Sequence, residues 1–333
     1  MKILIIHTAF IGDIVLSTPI LAKIKDWYPS SEISYVTTPQ GAELLKNNPH
    51  ISKVIQYDKK AKNRGVKEFF KLGKNLKQEK YDMVFSLHRY MRSSFLAWLT
   101  GAKVRKGYDI SSGSFFFTEK IVYKEKKHEV ERILSFLKKS KLKKDLEYRL
   151  ELYPGREEIE KVDALLKGVE GKKIVAIAPG SKWFTKKWPL DYFNKIILAL
   201  SKREDIVQVI IGGREEQLLN VHLKKNCIDL RAKTSLLELA EVLKRSDVVL
   251  TNDSSPIHIA SAFKKPFIVA LFGPTVEKFG FFPWSKNSYV FENHSLKCRP
   301  CAIHGGDKCP KGHFKCMLDI RPDEVIKKIK ELI

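Results

Sequence analysis

The sequence predicts an α/β protein made of two doubly wound parallel-sheet domains in tandem. Three observations predict it. Short apolar runs rich in Val and Ile alternate with stretches of helical spacing. The alternation breaks down between residues 108 and 170 and then restarts. A chain of 333 residues is long for one core and suits two. The expected division is 1–165 and 166–333.

"KILIIH" (2–7) is a continuous apolar run, as expected of a strand buried on both faces. Residues 14–28 carry apolar side chains at helical spacing, with Pro19 bending or shortening that helix. "EISYVT" (32–37) is the next strand, followed by a helix near 39–47 and a strand "SKVIQY" (52–57). A basic amphipathic helix covers 64–80, and "DMVFSL" (82–87) is a further strand. Residues 108–125 are β-rich and irregular, "HEVERILSFLKKS" (128–140) is helical, and the charged segment 141–170 connects the domains. The rhythm resumes with strands at 172–180, 206–213, 247–253 and 266–274, and helices at 189–202, 235–246 and 255–263.

Charge narrows the function classes. Lys and Arg number 61 against 38 Asp and Glu, a net charge of +23. Such a surface favours anionic partners, or reflects lysine used as a solvating residue. The basic residues are spread along the chain without an arginine-rich tail, which argues against nucleic acid. No apolar run has the roughly 20 residues that span a bilayer. His7 and Asp13 interrupt the first apolar region too early for a secretory leader, so a cytoplasmic location is expected.

Ligands of open parallel sheets bind outside the carboxyl ends of the strands. Four loops there stand out: "HTAFIGD", "APGSKWFTKKWP", "TNDSSPIH" and "LFGPT". Neither G-x-G-x-x-G nor G-x-x-x-x-G-K-[ST] occurs, which argues against a dehydrogenase and a P-loop NTPase. In "TNDSSPIH", Ser254, Ser255 and a helix start suit an anion, or Asp253 and Ser254 merely cap the helix. His258 lies on the first turn of the same helix. "SKWFTKKWP" sets Lys182, Lys186 and Lys187 beside Ser181 and Thr185, as a diphosphate site or a solvated basic loop.

Together, "GDIVLSTP", "LHRYMRSS", "HEVER", "PGSKWFTKKWP", "TNDSSPIHIASA", "LFGPTVEKFGFFP" and the late "CRPC…CPKGHFKCM" resemble the heptosyltransferases of the lipopolysaccharide inner core. The resemblance covers essentially the whole chain. It implies a GT-B fold, two Rossmann-like domains facing across a cleft, with the acceptor in the first and the nucleotide sugar in the second. The implied reaction moves L-glycero-D-manno-heptose from ADP-heptose to an anionic lipid A-core acceptor, with inversion. No cofactor is required, since ADP-heptose is a substrate. The implied place is the cytoplasm, peripheral to the inner membrane leaflet, with no nucleic-acid partner.

The resemblance also implies site residues. Asp13 matches the catalytic aspartate, although by its position alone it could be only a helix cap. Lys186 matches the lysine on the diphosphate. Ser181, Asp253, Ser254, Ser255 and His258 match the donor loops, and Asp229 the residue on the ribose. Lys60, Arg64, Arg89, Arg92 and Arg132 are acceptor candidates, Lys60 and Arg64 having a solvated helix face as the alternative. A GT-B enzyme using another sugar nucleotide or acceptor is the alternative function, and a non-catalytic basic binding protein the second alternative.

Four of the five cysteines fall in one segment with the spacing C-x₂-C-x₇-C-x₆-C: Cys298, Cys301, Cys309 and Cys316. They could hold a structural zinc ion, or they are reduced packing thiols.

Overall fold

A computed structural model describes residues 1–58, 65–137 and 148–333. Within it the chain forms two compact units, Met1–Tyr153 and Pro154–Ile333.

The first unit holds strands β1 (Lys2–Ile6), β2 (Glu32–Thr37), β3 (Lys53–Gln56), β4 (Met83–Ser86), β5 (Val104–Tyr108) and β6 (Glu119–Ile121). Its helices are α1 (Ile11–Leu16), α2 (Pro19–Trp27), α3 (Pro39–Leu45), α4 (Val66–Gln78), α5 (Met91–Leu99) and α6 (Glu129–Leu134). The strands pair in parallel in the order β3-β2-β1-β4-β5-β6. β1 shows why its sequence is apolar throughout. Ile3 and Ile5 enter one core cluster and Leu4 and Ile6 the other, on opposite faces of the sheet. All four are fully buried.

The second unit begins with α7 (Arg156–Leu165) and continues with β7 (Lys173–Ala178), α8 (Leu190–Leu200), β8 (Ile206–Ile210), α9 (Arg214–Gln217), β9 (Cys227–Asp229) and α10 (Leu236–Arg245). β10 (Val248–Asn252), α11 (Ser255–Ser261), β11 (Phe267–Phe272), β12 (Ser288–Glu292), α12 (Lys315–Leu318) and α13 (Pro322–Leu332) complete it. The strand order is β12-β11-β10-β7-β8-β9, again all parallel. Read from the other edge, this is the order of the first unit. Both are therefore Rossmann-like sheets with one topological switch point each, between β1 and β4 and between β7 and β10.

Several details differ from the expectation. The helix expected over 14–28 is two helices. Pro19 has no N–H to continue the ladder and instead opens α2 at its first position, with Thr18 as the preceding cap residue. The unit division falls ahead of the expected 165/166. α7 packs on α10, where Asp163 accepts from Arg245 at 2.6 Å and Lys161 pairs with Glu238 at 3.3 Å. The "irregular" segment 108–125 contains edge strand β6, and α5, β5, α9, β9, β12, α12 and α13 were not anticipated. Lys60 and Arg64 lie outside the described residues, as does the end of the helix expected over 128–140.

Candidate functional site

At the first switch point, β1 runs into a loop that opens α1. Asp13 is the third residue of that helix and is half-buried. Its Oδ2 accepts from the backbone N–H of Phe10 at 3.2 Å. Asp13 is thus not the cap residue itself but reaches back to it, which holds the carboxylate at the strand end.

The residues around it were not singled out from sequence. His7, the first residue after β1, is buried, and its Nδ1 lies 3.2 Å from the Tyr35 hydroxyl. Ser17 Oγ lies 2.6 Å from the same hydroxyl. Burial, and then the neighbouring His88, push the His7 imidazole down from 6.5 to about 3, so it is neutral at ordinary pH. Burial raises the Tyr35 hydroxyl, opposed by its Ser17 bond and reinforced by Asp13. Across the switch point, His88 follows β4. Its Nδ1 is 3.3 Å from both Thr8 Oγ1 and Ser93 Oγ, and its ring meets Tyr90 edge-on at 4.6 Å. The only sequence signal was position, because His7 and His88 each stand one or two residues past a strand.

Among the described acceptor candidates, Arg89 and Arg132 share the Tyr123 ring, and Arg92 lies on a different pair of rings. Arg89 lies 4.5 Å over the Tyr123 ring. Arg92 stacks over Phe69 at 4.9 Å and Tyr57 at 5.3 Å. Arg132 corrects the expectation, because its side chain is only 1% exposed. It donates to Glu129 Oε2 at 2.6 Å, to the Tyr123 hydroxyl at 2.7 Å, and to the carbonyls of Lys124 and Glu125 at 3.1 Å. Through these bonds the Arg132 fork ties residues 123–132 together. Burial raises the Glu129 carboxyl, and Arg132 opposes that shift.

At the second switch point the donor candidates do converge. Lys186 Nζ pairs with Asp253 Oδ2 at 2.6 Å, with both side chains largely buried. Thr275 Oγ1 donates to the same carboxylate oxygen at 2.6 Å. Asn252, at the end of β10, fixes the loop that carries Ser181 and Lys186. Its Nδ2 donates to the carbonyls of Pro179 (2.9 Å) and Gly180 (3.2 Å), and its Oδ1 accepts from the Trp188 amide at 3.0 Å. Gly180 lets that loop pass close over α9, since a Cβ there would come within 2.2 Å of Glu216 Oε1. Ser181 is buried beside it.

Ser254 precedes α11 but does not cap it. Its hydroxyl donates to the Asn252 carbonyl at 3.2 Å and lies 3.3 Å from Thr251 Oγ1. Ser255 is half-buried on the first turn, and His258 is buried. Asp229 stands apart, at the end of edge strand β9. Both its oxygens are held at 2.8 Å by the Arg231 guanidinium, which keeps its carboxyl below the usual range. Arg231 in turn donates to the carbonyls of Glu216 and Leu219.

The cysteine segment braces this site. Arg299, inside "CRPC", donates to Glu292 Oε2 at 2.7 Å and to the Thr275 carbonyl at 2.8 Å. Thr185 N donates to the Gly306 carbonyl at 3.0 Å. All the cysteines are free thiols. Cys298 Sγ lies 3.8 Å from His313 Nε2, and burial raises the Cys316 thiol to about 11. At Cys309 burial also acts upward, but the backbone N–H groups of residues 311–314 outweigh it and lower the thiol. Among the described residues, no group of three or more His, Cys, Asp or Glu side chains is arranged to hold a metal ion. Of the two readings of Cys298, Cys301, Cys309 and Cys316, a structural zinc ion or reduced packing thiols, the zinc is not shown.

The model of glycosyltransferase family 9 (heptosyltransferase) matches residues 69–308. The chain belongs to glycosyltransferase family 9, the heptosyltransferases. It is 30% identical over its full length to lipooligosaccharide heptosyltransferase 2 of Campylobacter jejuni, covering 98% of that protein. A family 9 glycosyltransferase structure from Veillonella parvula superimposes with a TM-score of 0.88 at 22% identity, covering 99% of this chain and 96% of that one. The E. coli ADP-heptose LPS heptosyltransferase II structure gives 0.82 at 20% identity, covering 100% and 98%. The two Rossmann-like units are thus those of a GT-B glycosyltransferase, as expected. No helix among the described residues is long and apolar enough to cross a membrane.

Proposed function

We propose that this heptosyltransferase moves heptose from ADP-L-glycero-D-manno-heptose to the inner core of a lipid A-linked oligosaccharide, inverting the anomeric centre. The reading rests above all on the full-length match to relatives named for lipooligosaccharide and ADP-heptose LPS heptosyl transfer. The acceptor hydroxyl attacks the anomeric carbon, the bond from that carbon to the ADP oxygen breaks, and the hydroxyl proton passes to Asp13. Asp13 suits this because its half-buried carboxylate sits just past a strand end, positioned by the Phe10 amide.

The departing diphosphate gains charge, which a positioned cation offsets. Lys186 fits that role. Its bond to Asp253, itself held by Thr275, removes the freedom of a long side chain before the donor arrives. Ser181, Ser254 and Ser255 offer hydroxyls to the phosphates and sugar, His258 supports that helix from within, and Asp229 is the ribose candidate. Arg89 and Arg92 serve the anionic acceptor, each preoriented on aromatic rings. The first unit then takes the acceptor and the second the nucleotide sugar. The enzyme works in the cytoplasm, peripheral to the inner membrane.

A donor panel tests the reading. With deacylated core acceptor, ADP-heptose should give acceptor-dependent ADP release. A preference for a UDP- or GDP-sugar, or release independent of acceptor, would overturn it.

A further inference from the structure

The first unit carries a face that the transfer chemistry leaves unused. α4 and α5 lie together because Gly73 has no side chain, and a Cβ there would come within 2.7 Å of Leu99. This brings Phe70 on α4 to 5.9 Å from Phe95 on α5. Phe95 stacks on Trp98 at 5.6 Å and meets Phe116 at 5.3 Å, and Phe116 meets Phe115 at 4.4 Å. The result is one continuous aromatic ladder, and its outer members are open to solvent. Phe70 is 47% exposed, Trp98 48% and Phe115 68%. Aromatic side chains of this size usually bury most of their surface in the core. A contiguous exposed set marks an interaction surface.

Charge says what that surface meets. α4 carries Lys67, Lys71, Lys74 and Lys77 against the single acid Glu68, and all four lysines are exposed. Lys74 follows Phe70 by one helical turn. The Lys77 stem lies 3.6 Å from the Cβ position of Gly101, beyond the Trp98 end of α5. Aromatic rings are thus flanked by cations along one helix pair. That is the composition of a segment lying in the headgroup region of an anionic bilayer. A second copy of the chain, with its own net charge of +23, would be repelled by the same lysines.

The ladder also continues into the candidate acceptor residues. Phe95 stacks on Phe69 at 5.8 Å, and Phe69 carries the Arg92 guanidinium. We propose that Phe70, Trp98 and Phe115, flanked by Lys71, Lys74 and Lys77, form the face by which the enzyme docks on an anionic lipid surface. The choice of partner rests on the lipid-linked acceptor proposed above. Docking by this face brings the membrane beside Arg92, where such an acceptor is received.

Vesicle co-sedimentation tests it with the full chain. Wild type should bind vesicles containing phosphatidylglycerol, bind phosphatidylcholine vesicles poorly, and release with salt. The combined variant Lys71→Glu, Lys74→Glu, Lys77→Glu should lower the partition at least roughly tenfold, since each lysine near an anionic leaflet is worth about fivefold. Phe70→Ser, Trp98→Ser, Phe115→Ser should lower it similarly. All six side chains are exposed, so both variants should keep wild-type transfer to deacylated acceptor in solution. Variants that bind vesicles as wild type does would overturn the proposal. So would a dimer in light scattering that Trp98→Ser dissolves without loss of lipid binding. Failure of wild-type transfer to deacylated acceptor would instead strike the transfer reading and leave the vesicle result standing.

Discussion

The two units share one strand order, yet their switch points are built on opposite electrostatic plans. In the second unit the charges are paired and bolted down. Lys186 meets Asp253, Thr275 holds Asp253, and Arg299 holds the Thr275 backbone. In the first unit the central titratable groups are a neutral buried His7, a His88 held by hydroxyls, and an Asp13 anchored by an amide. The cations there lie on aromatic rings or, for Arg132, are consumed by the fold. One topology thus carries two tasks. On the proposed reading, the paired cation of the second unit offsets the charge of a leaving diphosphate, and the carboxylate of the first takes a proton.

The largest expected effect concerns Arg132. If it is a structural residue, Arg132→Ala leaves Glu129 buried without its partner and should cost about 3–5 kcal/mol in urea unfolding. A stable variant with a raised acceptor KM would return Arg132 to the acceptor site. Next comes pH. His7 is near 3 when folded and 6.5 when unfolded, so the unfolded state binds more protons between those values. Its contribution is complete above pH 6.5 and is lost as pH falls toward 3, by up to roughly 1.4 kcal/mol per pH unit. Stability of His7→Gln should fall less steeply across that window. An identical slope would contradict the buried neutral imidazole.

Smaller effects probe the second unit. Lys186→Met should weaken ADP binding in calorimetry by roughly tenfold, about 1.4 kcal/mol. Unchanged binding would remove Lys186 from the donor site. Smallest is Ser254→Ala, which should cost less than the about 1 kcal/mol of a lost helix cap, because this hydroxyl does not cap. A full loss measured by thermal melting would show that Ser254 does cap in solution.

Much of this was legible in the sequence where one residue type has one physical use. The unbroken apolar run of β1 announced a strand buried on both faces, and Pro19 announced an interruption. Pairings between distant segments were not legible. Lys186 and Asp253 each stood out, but nothing local says that they meet. Arg299 was hidden by the cysteines around it, although its guanidinium rather than their thiols braces Thr275. Arg132 read as a surface cation because helical spacing cannot tell which arginine will find carbonyls in the preceding loop. The short edge strands β9 and β12 lack the apolar runs of central strands, since they are only half-buried.

Asp13→Asn bears most directly on the central claim. Asparagine can still accept the Phe10 amide bond but cannot take a proton. The variant should unfold at the wild-type urea concentration and bind ADP normally. Acceptor-dependent ADP release from ADP-heptose should fall by roughly 10²–10⁴-fold. Near-wild-type release from that folded, ADP-binding variant would contradict the account.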